Sequence, residues 1–321
     1  MAANNGIEGL NRQIENKRRG FWFDLFRRLV VEKPLGAFGL IIVIILLLTG
    51  IFANYLAPFG MNQIHLIDFL KPPSFKYLLG TDQMGRDILS RLIYGARVSM
   101  IIGIVATILS EGIAALIGVT SGFIGGKFDM IVQRFVDIWM SMPPFIVLMT
   151  VMSVIGSGMF QLIMIIGISA GIGHSRVLRS AVVGIKSNTY VQASDAIGCG
   201  PIRTMIRHIL PNIMPVIIIS FTLGVGAAIM QEASLSFLGF GVPPGVPSWG
   251  SMLSNEGRQF MEIYPALALW PGACLTIVVY GINMFGDSLR DLLDPRLRGG
   301  VGRYNLKTKN IQKLKEKLVN S

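Results

Sequence analysis

Few side chains in this sequence have the types and the spacing that catalysis or ligand binding requires. Gly126 and Lys127 lack both the hydroxyl residue and the upstream glycine of a phosphate-binding loop, and no glycine-rich dinucleotide fingerprint follows a strand pattern. The histidines His65, His174 and His208 are too widely spaced to resemble a metal site, and the two cysteines form no zinc-like pair. We therefore predict no catalytic centre, no metal and no cofactor.

Glu111 is the most unusual ionisable residue, because it interrupts an apolar stretch, residues 98–126, that is long enough to cross a membrane. A carboxylate in hydrocarbon is costly, and such groups normally face a partner or a water-filled path. Arg134 and Asp137, near the next apolar stretch, are the candidate partners. Two hypotheses stay open: Glu111 packs helices through a hydrogen bond or ion pair, or it takes part in handling a substrate.

The segment from Tyr190 to Pro211 has the clearest local signals. Gly198 is placed to end a short helix in the left-handed conformation, Pro201 to begin a second one, and Pro211 to lie just beyond its end. Two such helices would form a rigid knob that docks in the groove of another protein. Its exposed apolar residues would be Tyr190, Val191, Ile197 and Ile202. A well-folded connecting loop without a partner is the alternative.

The elements that hold these residues are predicted membrane spans. Hydrophobic residues make up 52% of the 321 residues and charged residues 15%, against about 25% charged in a typical soluble domain. The net charge of +11 comes from terminal and loop stretches without basic tracts interleaved with aromatics, so nucleic acid is not an expected partner. Apolar stretches of about 20 residues predict an all-α membrane protein. Its six helices would be residues 35–56, 98–120, 135–155, 159–177, 212–232 and 264–285.

Proline and glycine modify this simple pattern of spans. Pro143 and Pro144 should bend or break the third helix. Small residues at four-residue spacing should let neighbouring helices approach closely. These are Gly118, Gly122 and Gly126 in one stretch, and Gly167 and Gly171 in another.

The distribution of Lys and Arg predicts which side of the membrane each loop occupies. With the N-terminus in the cytoplasm, the inner segments contain 23 of the 29 Lys and Arg residues and the outer segments contain 6. We therefore predict a multi-pass protein of the cell membrane with both termini in the cytoplasm. Its parts would be a cytoplasmic N-terminus with an interfacial amphipathic helix (1–34), a first span with an external segment (35–97), a five-helix core with a cytoplasmic loop at 178–211 (98–285), and a cytoplasmic tail (286–321).

The external segment contains charged residues of both signs close together in sequence. Because Arg86, Arg91 and Arg97 alternate with Asp82 and Asp87, we expect these groups to pair with one another. The main role of the segment would then be structural, and docking of another protein would be its secondary role.

The cytoplasmic loop resembles the EAA loop of bacterial ABC-importer permeases, whose pattern is Glu-Ala-Ala, a glycine four residues after the triplet, and a closing Leu-Pro. The residues that match at the right spacing are Ala193, Gly198, Leu210 and Pro211. Gln192 and Ser194 replace the Glu and the second Ala of the triplet.

Three further segments, 79–97, 232–250 and 286–298, look like the second permease subunit of dipeptide and oligopeptide importers. The resemblance covers about residues 20–298, with its motifs in the expected order. It implies a six-helix type I ABC importer permease. The implied partners are a second permease subunit of different sequence, two ATP-binding cassette subunits and an extracytoplasmic solute-binding protein.

The resemblance also implies which subunit carries out each function in such an importer. ATP hydrolysis would take place on the partner subunits, and this chain would form half of the pathway for di- or oligopeptides. A nickel chelate, glutathione or another small solute is the alternative cargo. The residues expected in the coupling contact with the ATPase subunits are Tyr190, Gln192, Ala193, Asp195, Gly198, Ile202, Leu210 and Pro211.

Two other classes of membrane protein fit the sequence less well. A secondary transporter that works alone would be expected to have internal repeats with paired broken helices, and the sequence contains no such repeat. An intramembrane enzyme would need an acid, base or nucleophile cluster at membrane depth, whereas the histidines lie in predicted loops or at span ends.

Overall fold

The computed structural model describes residues 21–293, so the predicted segments before residue 21 and after residue 293 lie outside the described residues. Regular structure in this range is helical, without a β-strand. The α-helices in chain order are α1 (Phe21–Glu32), α2 (Pro34–Ile51), α3 (Ala53–Leu56), α4 (Ile88–Ile124), α5 (Gly126–Ser141), α6 (Pro144–Ile155), α7 (Met159–Lys186), α8 (Thr189–Ala196), α9 (Pro201–Thr204), α10 (Leu210–Phe237), α11 (Trp249–Met252), α12 (Arg258–Phe260) and α13 (Ala266–Leu293). A π-helical turn, Met205–Ile209, joins α9 to α10.

The long helices confirm the predicted all-α membrane fold. Within residues 21–293, the helices long and apolar enough to cross a membrane are α2, α4, α7, the continuous stretch Pro201–Phe237 and α13. Helices α5 and α6 are long and apolar enough to cross a membrane when they are taken together, but their directions differ by 83°. The bent pair occupies the position of the third predicted span, which brings the number of candidate spans to six.

The bend between α5 and α6 lies at the two adjacent prolines, as predicted. Pro143 has the extended backbone conformation, with φ −60° and ψ 118°, because the ring of a following proline disfavours helical geometry at the preceding residue. Pro144 then starts α6 at a position where a missing N–H costs nothing. The third predicted span, residues 135–155, is therefore two helices rather than one.

Helix α4 begins at Ile88, earlier than the predicted start at residue 98, because a side-chain cap stabilises its first turn. The Asp87 carboxylate accepts hydrogen bonds from the Ser90 backbone N–H at 2.8 Å and from the Ser90 hydroxyl at 2.7 Å. Such a cap satisfies helix N–H groups that would otherwise lack partners. The Ser90 hydroxyl in turn accepts a hydrogen bond from the backbone of Phe59 at 3.0 Å, so the segment between α3 and α4 is fixed to the start of α4.

Glycines bring α4 and α7 into backbone contact along much of their lengths. A Cβ atom on Gly118 would lie 2.4 Å from the Ser175 carbonyl oxygen, and one on Gly171 would lie 2.8 Å from the Ser110 carbonyl oxygen. Two further glycines of the predicted ridges, Gly122 and Gly167, also face the opposite helix. Gly126 does not belong to this contact, because nothing lies within 4 Å of its added Cβ.

The segment between α3 and α4, which is predicted to be external, is held by pairs of charged groups. The Arg86 guanidinium donates to Asp82 at 2.6 Å, and Arg91 lies 3.6 Å from the same carboxylate. The expected pairing among these groups is thus correct for Asp82, whereas Asp87 caps α4. The prediction is wrong for Arg97, which instead donates to the Gly50 carbonyl at 2.8 Å and so ties α4 to α2.

Asp68 is the centre of a second polar cluster in the segment between α3 and α4. Its carboxylate lies 2.5 Å from the Lys71 ammonium, 2.5 Å from the Tyr77 hydroxyl and 3.3 Å from Lys76. The hydrogen bonds from Lys71 and Tyr77 hold the pKa of Asp68 well below its usual range. The carboxylate is therefore charged throughout the physiological pH range.

Replacing Asp68 by asparagine should loosen the segment between α3 and α4. The amide keeps the shape of the carboxylate but loses the charge that attracts Lys71, so we expect a lower unfolding temperature and faster hydrogen exchange across residues 66–81. Because the folded-state pKa is depressed, the stabilisation by Asp68 is complete above its unfolded value of about 4 and disappears only at more acidic pH. The difference in unfolding temperature should stay constant between pH 5 and 8, and a difference that disappears towards pH 5 would contradict this assignment.

Candidate functional site

The segment between α7 and α10 folds into two short helices joined by a tight turn. Helix α8 ends before Gly198, whose φ of +78° is the predicted left-handed conformation, and Pro201 occupies the first turn of α9. The predicted place of Pro211 is wrong. It lies in the first turn of α10 rather than beyond a helix end, because the π-helical turn carries the chain directly from α9 into α10.

Buried contacts make this segment, residues 189–209, a compact unit, which we call the loop unit. The Ser194 and Thr204 hydroxyls lie 3.2 Å apart in the interior and join α8 to α9. Ile209 is fully buried in a cluster with Val182 of α7. Val191 is also fully buried, so the prediction that it is exposed is wrong: one face of α8 packs inward, and Val191 lies on that face.

The opposite side of the loop unit exposes apolar side chains. Ile197 is 80% exposed and Ile202 is 66% exposed, and Tyr190 is also exposed. Among the other residues predicted for the coupling contact, Gln192, Ala193, Gly198 and Pro211 are exposed and Leu210 is half-buried. The side chain of Asp195 lies outside the described part of the chain. Large apolar groups exposed on a predicted loop are typical of a protein interface.

Glu111 lies between α4 and α7 and contacts a residue that the sequence did not suggest. It is only 6% exposed, and its Oε1 lies 3.2 Å from His174 Nδ1. The predicted partners, Arg134 and Asp137, instead lie 3.7 Å from each other, and Asp137 also accepts from Arg176 of α7. The prediction is wrong because the glycine contacts hold α4 directly against α7, so Glu111 faces α7 rather than α5.

A second buried carboxylate, Glu232 in α10, was not among the predicted sites. It is 0% exposed and accepts a hydrogen bond from the Ser236 hydroxyl at 2.6 Å. The Ser99 hydroxyl of α4 lies 3.4 Å from its other oxygen. A serine four residues after a glutamate lies on the same helix face, and this spacing is the signal that could have identified the pair. The contact joins α10 to α4.

The described residues contain no group of three or more His, Cys, Asp or Glu side chains placed to hold a metal ion. Two buried carboxylates of the predicted spans are instead in contact with a neighbouring polar side chain, Glu111 with His174 and Glu232 with Ser236. Such an arrangement can position helices and offer hydrogen bonds to a passing solute, and the loop unit offers an apolar docking surface.

Comparison with known proteins identifies membrane transport proteins that are similar to most of the chain. Residues 114–299 match the family described as binding-protein-dependent transport system inner membrane component, and residues 20–73 match the N-terminal TM domain of oligopeptide transport permease C. The chain is 38% identical to the oligopeptide transport system permease protein OppC of Bacillus subtilis, over 89% of this chain and 93% of the relative. It is 37% identical to the dipeptide transport system permease protein DppC of Haemophilus influenzae, over 87% of this chain and 94% of the relative.

Two further similarities concern another transport system and the fold. The glutathione transport system permease protein GsiD of Escherichia coli is 33% identical over 87% of this chain and 91% of the relative. A chain of the MetNI methionine ABC transporter, solved in inward-facing conformations, superposes with a TM-score of 0.51 at 19% identity, covering 64% of this chain and 96% of that chain. This fold similarity and the family matches confirm the resemblance predicted from the motifs. The chain is a multi-spanning membrane permease and belongs to the family of binding-protein-dependent transport system inner membrane components.

Proposed function

We propose that this chain is one permease subunit of an ATP-driven importer and that it forms half of the membrane pathway for di- and oligopeptides. The oligopeptide and dipeptide permeases among its relatives support this cargo. ATP hydrolysis takes place on partner subunits in this proposal. Residues 98–285 form the permease core, and the loop unit projects from it into the cytoplasm.

The proposed complex contains three kinds of partner. A second permease of different sequence completes the pathway, two ATP-binding cassette subunits bind on the cytoplasmic side, and an extracytoplasmic binding protein delivers the peptide. The family description, which specifies binding-protein-dependent transport, supports the last of these. The excess of Lys and Arg in the predicted inner segments supports an orientation with both termini in the cytoplasm.

The observation that carries the coupling proposal is the structure of the loop unit, in which the two short helices share a buried contact and exposed isoleucines lie on the surface. Its buried hydroxyl pair joins α8 to α9 and Val191 packs in its interior, and Ile197 and Ile202 offer an apolar contact to an ATPase subunit. ATP shifts the importer from inward- to outward-facing because the ATPase subunits bind the two conformations with different affinity. The coupling residues in this proposal are Tyr190, Gln192, Ala193, Asp195, Gly198, Ile202, Leu210 and Pro211.

Replacing both Ile197 and Ile202 by aspartate should detach the ATPase subunits. Charges in the centre of an apolar contact remain desolvated and unpaired, so we expect the amount of ATPase subunit that copurifies with the permease to fall by about tenfold or more. The matched control is Ile263→Asp, which places a charge on an equally exposed isoleucine outside the loop unit. Retention of the ATPase subunits by the double variant, or an equal loss in the control, would contradict the coupling surface.

Transport by the reconstituted complex tests the cargo. Proteoliposomes containing all subunits should accumulate a radiolabelled dipeptide when ATP is enclosed, and not when ADP is enclosed. Glutathione is the second candidate cargo, because glutathione permeases are also among the relatives. Uptake of glutathione or of a nickel chelate in preference to the dipeptide would replace the peptide assignment, and ATP-independent uptake by this chain alone would overturn the importer function.

A further inference from the structure

A small polar cavity lies between α4, α7 and α10, next to the Glu111–His174 pair. Its volume is about 50 Å³, enough for one or two waters or for one small polar group. The polar residues that line it are Thr107, Ser110, His174 and Gln231. The rest of the lining is made largely of alanine and glycine, such as Ala170 and Gly224, so a ligand group can approach the helix backbones closely.

The hydrogen bonds around the cavity give two of its lining residues, Thr107 and His174, the role of acceptor toward a ligand. The Thr107 hydroxyl donates its proton to the Gly103 carbonyl at 2.7 Å, so its oxygen can only accept from another group. His174 Nδ1 lies 3.2 Å from Glu111 Oε1, and an ionised carboxylate at this place accepts the proton of Nδ1. In the neutral imidazole, Nε2 is then an acceptor.

Two buried polar atoms at this place have no hydrogen-bond partner among the described residues. They are the Ser110 hydroxyl oxygen, which belongs to a lining residue, and Glu111 Oε2. Buried polar groups in proteins are nearly always satisfied, so the Ser110 hydroxyl marks a position at which a ligand group completes the network. Glu111 adds a negative charge behind the imidazole, which favours a cation.

We propose that this cavity is a subsite for a primary ammonium group of the cargo, an inference that rests on the peptide cargo proposed above. An ammonium group has three N–H donors and no acceptor, which matches the acceptors of Thr107, Ser110 and His174. Its single positive charge complements Glu111, and its size fits the cavity. The ammonium comes either from the N-terminus of a peptide or from a lysine side chain, because the two share this chemistry.

Cysteine labelling in the purified importer complex tests the subsite without requiring ATP. The background variant is Cys199→Ser with Cys274→Ala, and Ala170→Cys then places a thiol in the cavity wall. Two reagents of similar size are compared, 2-aminoethyl and 2-hydroxyethyl methanethiosulfonate, of which only the first has an ammonium group. Val177→Cys, on an exposed part of the same helix, measures the intrinsic preference of the thiol for each reagent.

We expect the aminoethyl reagent to be favoured at position 170 by about tenfold over the ratio measured at position 177. Ser110→Ala and Thr107→Val should each reduce this preference, and Thr107→Ser, which keeps the hydroxyl, should restore it. Ser110→Ala and Thr107→Ser change the volume of the side chain only a little, so they test the hydrogen bonds rather than the stability of the fold. Equal preferences at the two positions, or a preference that survives both substitutions, would overturn the ammonium subsite.

Protection by peptides identifies the source of the ammonium. The dipeptide Ala-Ala should slow labelling of the cysteine at position 170 if the N-terminus occupies the cavity, and N-acetyl-lysine amide should do so if a lysine side chain does. N-acetyl-Ala-Ala, which has no ammonium, should give no protection. Equal protection by all three compounds, or by none, would contradict the proposal. A complex that labels as expected but shows no ATP-driven uptake would contradict the importer function and not the subsite.

Discussion

Replacing Gly198 by valine is expected to abolish ATP-driven uptake while the partner ATPase subunits continue to hydrolyse ATP. Gly198 has a φ of +78°, a conformation that costs residues with a Cβ roughly 1–2 kcal/mol and is least accessible to β-branched ones. No atom lies within 4 Å of an added Cβ, so the effect comes from the backbone rather than from a clash. The turn would rearrange and move Ile197 relative to Ile202. The measurement is the number of peptides imported per ATP hydrolysed in proteoliposomes.

Gly200 provides a matched control two residues away. It is exposed, its added Cβ also has no neighbour within 4 Å, and its φ of −63° is accessible to valine. Gly200→Val should therefore keep most of the coupled uptake. Normal uptake by Gly198→Val, or an equal loss in both variants, would show that the shape of this turn does not transmit the ATPase cycle.

Replacing Gly118 by valine should have the largest effect on folding. The new Cβ would lie 2.4 Å from the Ser175 carbonyl and 3.0 Å from the Arg179 backbone nitrogen. These are backbone atoms of α7, so they can move only if the two helices separate. Overpacking in a tight interior typically costs about 1–3 kcal/mol, and we expect the upper end of this range. A thermal unfolding curve of the purified chain in detergent, followed by tryptophan fluorescence, measures the effect.

Gly112 in the same helix supplies the control for this substitution. Nothing lies within 4 Å of its added Cβ, and valine has at least the helix propensity of glycine. Gly112→Val should therefore leave the unfolding temperature of the isolated chain nearly unchanged. If Gly118→Val were as stable as Gly112→Val, the close contact of α4 and α7 would not hold the protein together.

Features whose physics is local could be predicted from the sequence. The two adjacent prolines at 143 and 144 break a helix through their own rings, and Gly198 ends one because glycine adopts the left-handed conformation without the steric cost of a Cβ. The spans could also be predicted from the apolar stretches, because the length of helix needed to cross a bilayer is fixed. The early start of α4 was also encoded locally, in the capping residue Asp87.

Features that depend on which helix faces which could not be predicted in this way. The predicted partners of Glu111 were wrong because the sequence does not show that α7 lies against α4. Gly171 and His174, three residues apart, share the face of α7 that makes this contact. Val191 was predicted to be exposed because α8 is too short for its apolar pattern to identify a buried face. Glu232 was overlooked because it lies at the end of an apolar stretch, where a carboxylate is ordinarily solvated.

The central claim is that this chain works as one permease among the subunits of an ATP-driven importer, and its partners test that claim most directly. The chain should be purified in mild detergent from the membranes of its own host, and the bound proteins identified by mass spectrometry. We predict the recovery of ATP-binding cassette subunits, a second multi-spanning permease and a solute-binding protein. Recovery of a stable chain without partners, able to carry solute into vesicles without ATP, would contradict the claim.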